Sequence, residues 1–346
     1  MINFHLNQGY AMEYLAHYLL FLGQALTIAI TTLIIVAGIA AIASKGKAKQ
    51  KGKISIKPLN KHFDEVRSTI DGVILDKKEQ KALKKSKKDK PNKNALSKRK
   101  LFVIHFHGDI KASAVAALRE EVTAVLLTAK QKDRVLVCLE SGGGMVNAYG
   151  LAASQLQRLK SAKLHLTIAI DKVAASGGYM MACVADQIIA APFAVVGSIG
   201  VVAQLPNFHR FLKEKNIDFE QLTAGEYKRT LTMFGENTKE GRSKMQEDIN
   251  ETQELFKKFI KANRSCVNID EVATGEHWFA TQAIELKLVD ALQTSDDFIL
   301  QQRNQYDLFN LKYEIKKSLS KKLAGGANAL LYKFGSGVNQ HGQDYI

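Results

Sequence analysis

Asp171-Lys-Val-Ala-Ala-Ser-Gly-Gly-Tyr179 sets one hydroxyl among small residues between two apolar segments. Leu164 to Ile170 before it reads as a buried strand, and Tyr179 to Ala185 after it as the start of a buried helix. Ser176 therefore falls at a strand-to-helix turn, where the unpaired first amides of a helix point outward and favour developing negative charge. It is the first candidate nucleophile of the chain. A serine hydroxyl attacks poorly until a neighbouring base takes its proton, so that base must come from elsewhere. No Gly-x-Ser-x-Gly elbow surrounds Ser176, which disfavours an α/β-hydrolase. The plain alternative is a small residue packed at a turn.

Working outward, apolar strands alternate with helical periods. Leu101 to His107 and Val135 to Leu139 read as strands, Ala112 to Lys130 and Val146 to Lys160 as helices, and Gln187 to Ala190 and Val195 to Val202 as further apolar segments. This alternation predicts an α/β fold with a mostly parallel sheet and helices on both faces. Ligand chemistry then belongs at the carboxyl ends of the strands, where both Gly142–Gly144 and Ser176 fall. Thr223 to Thr230 reads as a polar loop, Thr238 to Asn263 as a long amphipathic helix opened by Asn237-Thr238, and Asn268 to Lys287 as two short helices.

Composition divides the 346 residues into an anchor at 1–44, a basic linker at 45–100, a globular core at 101–300 and a basic tail at 301–346. Between Glu13 and Lys45 there is no Asp, Glu, Lys or Arg, and Leu19 to Ala43 exceeds the ~20 apolar residues needed to cross a bilayer. Ala41-Ile-Ala43 mimics a signal cleavage site. However, Met1 to Glu13 holds no Lys or Arg and the apolar run is too long for a signal core, so a permanent transmembrane anchor is expected. Lys45 to Lys100 holds 20 Lys and Arg against 6 Asp and Glu, which accounts for nearly all of the net charge of +15. A basic run directly after a membrane helix points to topology and attraction to anionic lipid. Without aromatic interleaving for base stacking, no nucleic-acid partner is expected. Asp76 to Lys100, with Lys84-Lys-Ser-Lys-Lys-Asp-Lys-Pro91, reads as a mobile linker or a charged helix.

Cys138, Cys183 and Cys266 form no Cys-x-x-Cys pair, and two lie in apolar contexts, so buried free thiols are expected. His105 and His107 would share one face of a strand but lack a third metal ligand at suitable spacing. No histidine stands in a context suited to a catalytic base. A lysine is the remaining option, because desolvation brings a lysine from ~10.4 toward neutrality, where it can accept a hydroxyl proton. Lys228 stands out modestly, in a small-residue loop outside any Lys-rich run.

Five ordered segments then carry a resemblance: Glu140-Ser-Gly-Gly-Gly-Met145, Asp171 to Tyr179, Ala194-Val-Val-Gly-Ser-Ile-Gly-Val201, Thr223-Ala-Gly-Glu-Tyr-Lys-Arg229 and Ala273-Thr-Gly-Glu-His-Trp278. Residues 101 to about 292 resemble the signal peptide peptidase A family of membrane serine proteases, and the whole chain looks like its single-domain inner-membrane type. The resemblance implies a ClpP/crotonase-like fold with a Ser/Lys dyad. Carried over, Ser176 is the nucleophile, Lys228 the general base, Ser198 a serine that orients the lysine, and the Gly143 and Gly177 N–H groups the oxyanion hole. One departure is that Gly142 stands where the family usually has proline, which loosens the turn that aims Gly143.

The expectation is a single-pass serine endopeptidase of the bacterial plasma membrane, with no metal or nucleotide cofactor. It would cleave extended apolar polypeptides such as membrane-protein or signal-peptide fragments. The family also implies a ring-like homo-oligomer in which adjacent subunits can supply lysine and serine. Rival readings are a crotonase-like acyl-CoA enzyme, which would call for catalytic carboxylates, and an inert membrane scaffold. Lys45, Lys47, Lys49, Lys51 and Lys53 directly follow the anchor, so charge bias places the catalytic domain in the cytoplasm, against the habit of family members that work outside it.

Overall fold

The computed structural model describes residues 14, 16–35, 52–88 and 99–314. The flank before Tyr14, the lysines from 45 to 51 and the tail beyond Glu314 lie outside the described residues. Helix α1, Ala16–Ile35, is long and apolar enough to cross a membrane. Its threonines suit that role, since the Thr27, Thr31 and Thr32 hydroxyls donate to carbonyls one turn earlier at 2.7–2.8 Å and are thereby satisfied within the helix.

By itself, the unit from Ile54 to Glu314 is compactly organised. In chain order it contains β1 Lys53–Pro58, α2 Leu59–Ile74, α3 Lys77–Lys88, β2 Arg99–Gly108, α4 Val115–Thr128, β3 Arg134–Ser141, α5 Val146–Ser161 and β4 His165–Ile170. There follow β5 Val173–Ala175, α6 Gly177–Ala182, β6 Gln187–Ala190, β7 Val195–Gly197, α7 His209–Glu214, α8 Lys239–Asn263, α9 Ile269–Val272 and β8 His277–Phe279. The last elements are α10 Ala280–Ala283, β9 Ala291–Leu292, α11 Ser295–Gln302 and β10 Tyr306–Glu314.

The main sheet runs β1-β10-β2-β3-β4-β6-β9. From β10 to β9 each neighbouring pair is parallel, as alternation of strand and helix predicts. A second ribbon, β5, β7 and β8, leaves the end of β3, with β8 antiparallel to β7. The expected α/β class, with a mostly parallel sheet and helices on both faces, is the one formed. Strands buried on both faces need apolar residues at successive positions, and β2 and β3 supply them as Leu101–Ile104 and Val135–Leu139. Residues of α4, α5, α6, α8, α9 and α10 fill the core on one face of the sheet; residues of α2 and α11 pack on the other.

The boundaries differ from those expected. Residues assigned to the linker and the tail belong to the sheet, because β10 inserts between β1 and β2 and α2 packs Leu59 and Phe63 on the second core. The Asn60 side chain fastens this corner, accepting from Leu308 N–H at 2.6 Å and donating to the Arg303 and Tyr306 carbonyls at 3.1 Å. The averaged basic composition hides these few apolar and amide positions. Val195 to Val202 is a strand only to Gly197, since Gly197 and Ser198 turn to positive φ.

Candidate active site

Three adjacent strand ends build the site. β3, β5 and β7 are parallel neighbours here, with Ser141 opposite Ala174 and Ala175 opposite Gly197. Their next residues are Gly142, Ser176 and Ser198, so register alone brings both candidate serines to one level. Ser176 N–H donates to the Gly197 carbonyl at 2.8 Å. Ser176 takes φ 51° and ψ −118°, and Ser198 takes φ 50°. Such backbone costs a non-glycine residue on the order of 1–2 kcal/mol and persists only where the surroundings hold it. Here α6 starts at once after Ser176, Met180 N–H reaches back to the Ser176 carbonyl at 2.9 Å, and Ser198 N–H is held by the Glu276 carbonyl at 2.6 Å.

Both serines are half-buried and line a cleft of about 680 Å³. Gly142–Gly144 form one side, Ser198, Gly200–Val202 and Ala273–Gly275 another, and Gln246, Ile249, Asn250 and Gln253 of α8 a third. No charged side chain is among these lining residues. The carboxylates that acyl-CoA chemistry would call for are therefore missing from this lining, and so is a basic group able to take the Ser176 proton. Sequence reasoning missed Gln253, whose Nε2 donates to the Ile199 and Ala273 carbonyls at 3.2 and 3.1 Å and ties the two walls together. The spacing of Gln246, Asn250 and Gln253, which sets three amide side chains on one helix face, was the available signal.

Gly177 is the first residue of α6, so its N–H has no partner within the helix and remains available to an oxyanion. Gly143 has φ 93°, and a Cβ there would lie 2.8 Å from Gly177 N and 2.8 Å from Ser176 Cβ. Only glycine permits this approach. The Gly143 N–H itself does not serve the cleft in this arrangement. It donates to Ser141 Oγ at 3.1 Å, and Ser141 is buried.

Lys228 is exposed and absent from the cleft lining. It lies in a turn closed by its own N–H on the Gly225 carbonyl at 3.2 Å, at the end of a largely exposed arm from Val202 to Arg229. The structure thus brings Ser176, Ser198, Gly143 and Gly177 together and leaves Lys228 outside. Cys138 and Cys183 are buried free thiols, both pushed up to about 12 by burial, while Cys266 is exposed. His107 Nδ1 pairs with Glu140 at 3.5 Å on the surface.

Residues 13–156 match the family described as Peptidase family S49 N-terminal, and residues 158–308 match Peptidase family S49. A "Probable protease SohB" of Haemophilus influenzae is 48% identical over 90% of this chain and 92% of its own length. Another, from Buchnera aphidicola subsp. Schlechtendalia chinensis, is 48% identical over 84% of this chain and 99% of its own. A solved 1510-N membrane-bound stomatin-specific protease, in complex with a substrate peptide, covers 66% of this chain and 97% of its own. Its identity is 13% and its TM-score 0.41, too remote to carry residue assignments.

Proposed function

Because this chain belongs to peptidase family S49 and is a membrane-anchored serine protease, we propose that Ser176 is its nucleophile and Lys228 of a neighbouring copy its general base. The observation that carries this reading is the strained Ser176 at the start of α6, facing a cleft with no charged lining residue. A base is required, and the cleft has none of its own. Lys228 ends an arm that exposes Val202, Phe208, Phe211, Ile217, Leu222 and Tyr227, an apolar surface suited to packing against a second copy.

Ser176 Oγ attacks the scissile carbonyl while the Lys228 amine takes its proton, and the oxyanion is met by the Gly177 and Gly143 amides. Ser198 orients the lysine. The intermediate collapses to an acyl-enzyme as the lysine returns its proton to the leaving amine, and water repeats the cycle to release the acid. An uncharged cleft suits extended, apolar polypeptides, such as membrane-protein or signal-peptide fragments. The setting is the bacterial inner membrane, with the basic residues after the anchor on anionic lipid and the catalytic domain on the cytoplasmic side. Mixing inactive Ser176→Ala and Lys228→Ala enzymes tests the shared site: activity in the mixture supports it, and a silent mixture of proven hetero-oligomers refutes it.

A further inference from the structure

Beneath the nucleophile turn lies a polar chain that the dyad does not use. Tyr149 is 0% exposed and Ser141 2%. Tyr149 Oη donates its single proton to the Asp109 carbonyl at 2.8 Å. In the 2.5 Å contact between Tyr149 Oη and Ser141 Oγ the serine must therefore be the donor. Ser141 Oγ in turn accepts from Gly143 N–H. The chain has one direction, from the Gly143 amide through Ser141 and Tyr149 to Asp109.

Its position is fixed by contact as well as by hydrogen bonds. A Cβ at Gly177 would lie 2.4 Å from Tyr149 Cγ, one at Gly108 2.4 Å from Tyr149 Oη, and one at Gly178 2.4 Å from the Ser141 carbonyl oxygen. The phenol thus supports the strand end that carries the one amide and the helix start that carries the other. Burial also raises the Tyr149 phenol above its ordinary value, so it keeps its proton. By contrast, Gly142, next to the latched amide, is exposed with nothing within 4 Å of an added Cβ, so the peptide between Gly142 and Gly143 has room and backbone freedom to turn.

We propose that Ser141 and Tyr149 are positioning residues forming a buried latch, which holds the Gly143 amide out of the oxyanion hole until charge develops on the substrate. This rests on the assignment of Ser176 as nucleophile with Gly143 as an oxyanion donor. A neutral hydroxyl is a weaker acceptor than an oxyanion, so the exchange is favourable only in the transition state. The latch holds back part of that stabilisation, because one neutral hydrogen bond is given up on the way.

The test compares wild type with Ser141→Ala and Tyr149→Phe in the full-length, detergent-solubilised enzyme. The readouts are kcat and KM on a fluorogenic peptide and inhibition by a peptide boronate, which forms a tetrahedral adduct. Ser141→Ala is expected to raise kcat about three- to tenfold, with KM within about twofold and the boronate bound tighter by a similar factor. Tyr149→Phe keeps the ring under Gly177 and removes the acceptor of the Ser141 proton; a smaller rise is expected. It carries the test alone should Ser141→Ala fail to assemble. A kcat equal to or below wild type in the folded variants overturns the latch. Ser176→Ala separates the two ideas: if it retains wild-type activity the nucleophile assignment fails, and if it is inactive while neither latch variant gains, only the latch fails.

Discussion

Replacing Gly143 by alanine tests the assembly of the site most directly, because the adjacent Gly142 supplies its control. A Cβ at Gly143 meets Gly177 N at 2.8 Å, Ser176 Cβ at 2.8 Å and the Ala175 carbonyl oxygen at 2.9 Å. Two of these are backbone atoms of the β5–α6 turn and cannot swing aside. Overpacking of this kind costs about 1–3 kcal/mol, and a φ of 93° adds roughly 1 kcal/mol for alanine. The sum, about 2–4 kcal/mol, corresponds to a fall in Tm of roughly 5–15 °C for a domain of this size. Any relief moves Ser176 or the Gly177 amide, and misplacement by a fraction of an ångström is expected to lower kcat/KM about 100-fold or more. Gly142→Ala meets nothing within 4 Å and should change Tm by less than about 2 °C. Thermal melts and fluorogenic-peptide kinetics on the three proteins decide. Gly143→Ala with near wild-type activity, or equal damage from both substitutions, refutes the packing described for this turn.

Lys228→Arg should be as inactive as Lys228→Ala in the same peptidase assay, since a guanidinium does not release its proton near neutral pH; measurable turnover would remove Lys228 as base. Ser198→Ala should slow kcat without abolishing it, and an unchanged rate returns Ser198 to the role of a turn residue. Glu121 is 4% exposed and accepts the Tyr313 N–H at 2.7 Å, and burial raises its carboxyl above the ordinary range. The folded state therefore holds that proton more tightly than the unfolded state, so this group's contribution to stability declines as pH rises through the raised value. Glu121→Gln keeps the acceptor without the charge and should melt at or above wild type at pH 7.5, whereas Glu121→Ala should melt lower; equal losses in both would refute this. An export-dependent reporter fused after Ile346 should be silent and a fluorescent one bright; strong exported activity overturns the cytoplasmic placement.

The local elements were legible in the sequence because their causes are local. Short continuous apolar runs such as Leu101–Ile104 and Val135–Leu139, rich in β-branched residues, suit strands buried on both faces, and Thr238 heads α8 because its hydroxyl accepts the Gly241 N–H at 3.0 Å. Ser176 too could be placed at a strand-to-helix turn from its small neighbours. What the sequence lacked was register. That Ser176 and Ser198 stand at one level follows from the pairing of Ala175 with Gly197, and that β10 belongs to the sheet follows from pairs such as Leu308 with Leu101 across 207 residues of chain. Neither leaves a periodic trace, because pairing between distant strands is chosen by packing of the whole core. The same holds for the Gly143 amide. Its identity as a candidate donor came from the motif, but its engagement by Ser141 depends on Tyr149 and Asp109, brought together only when α5 packs beneath the strand ends.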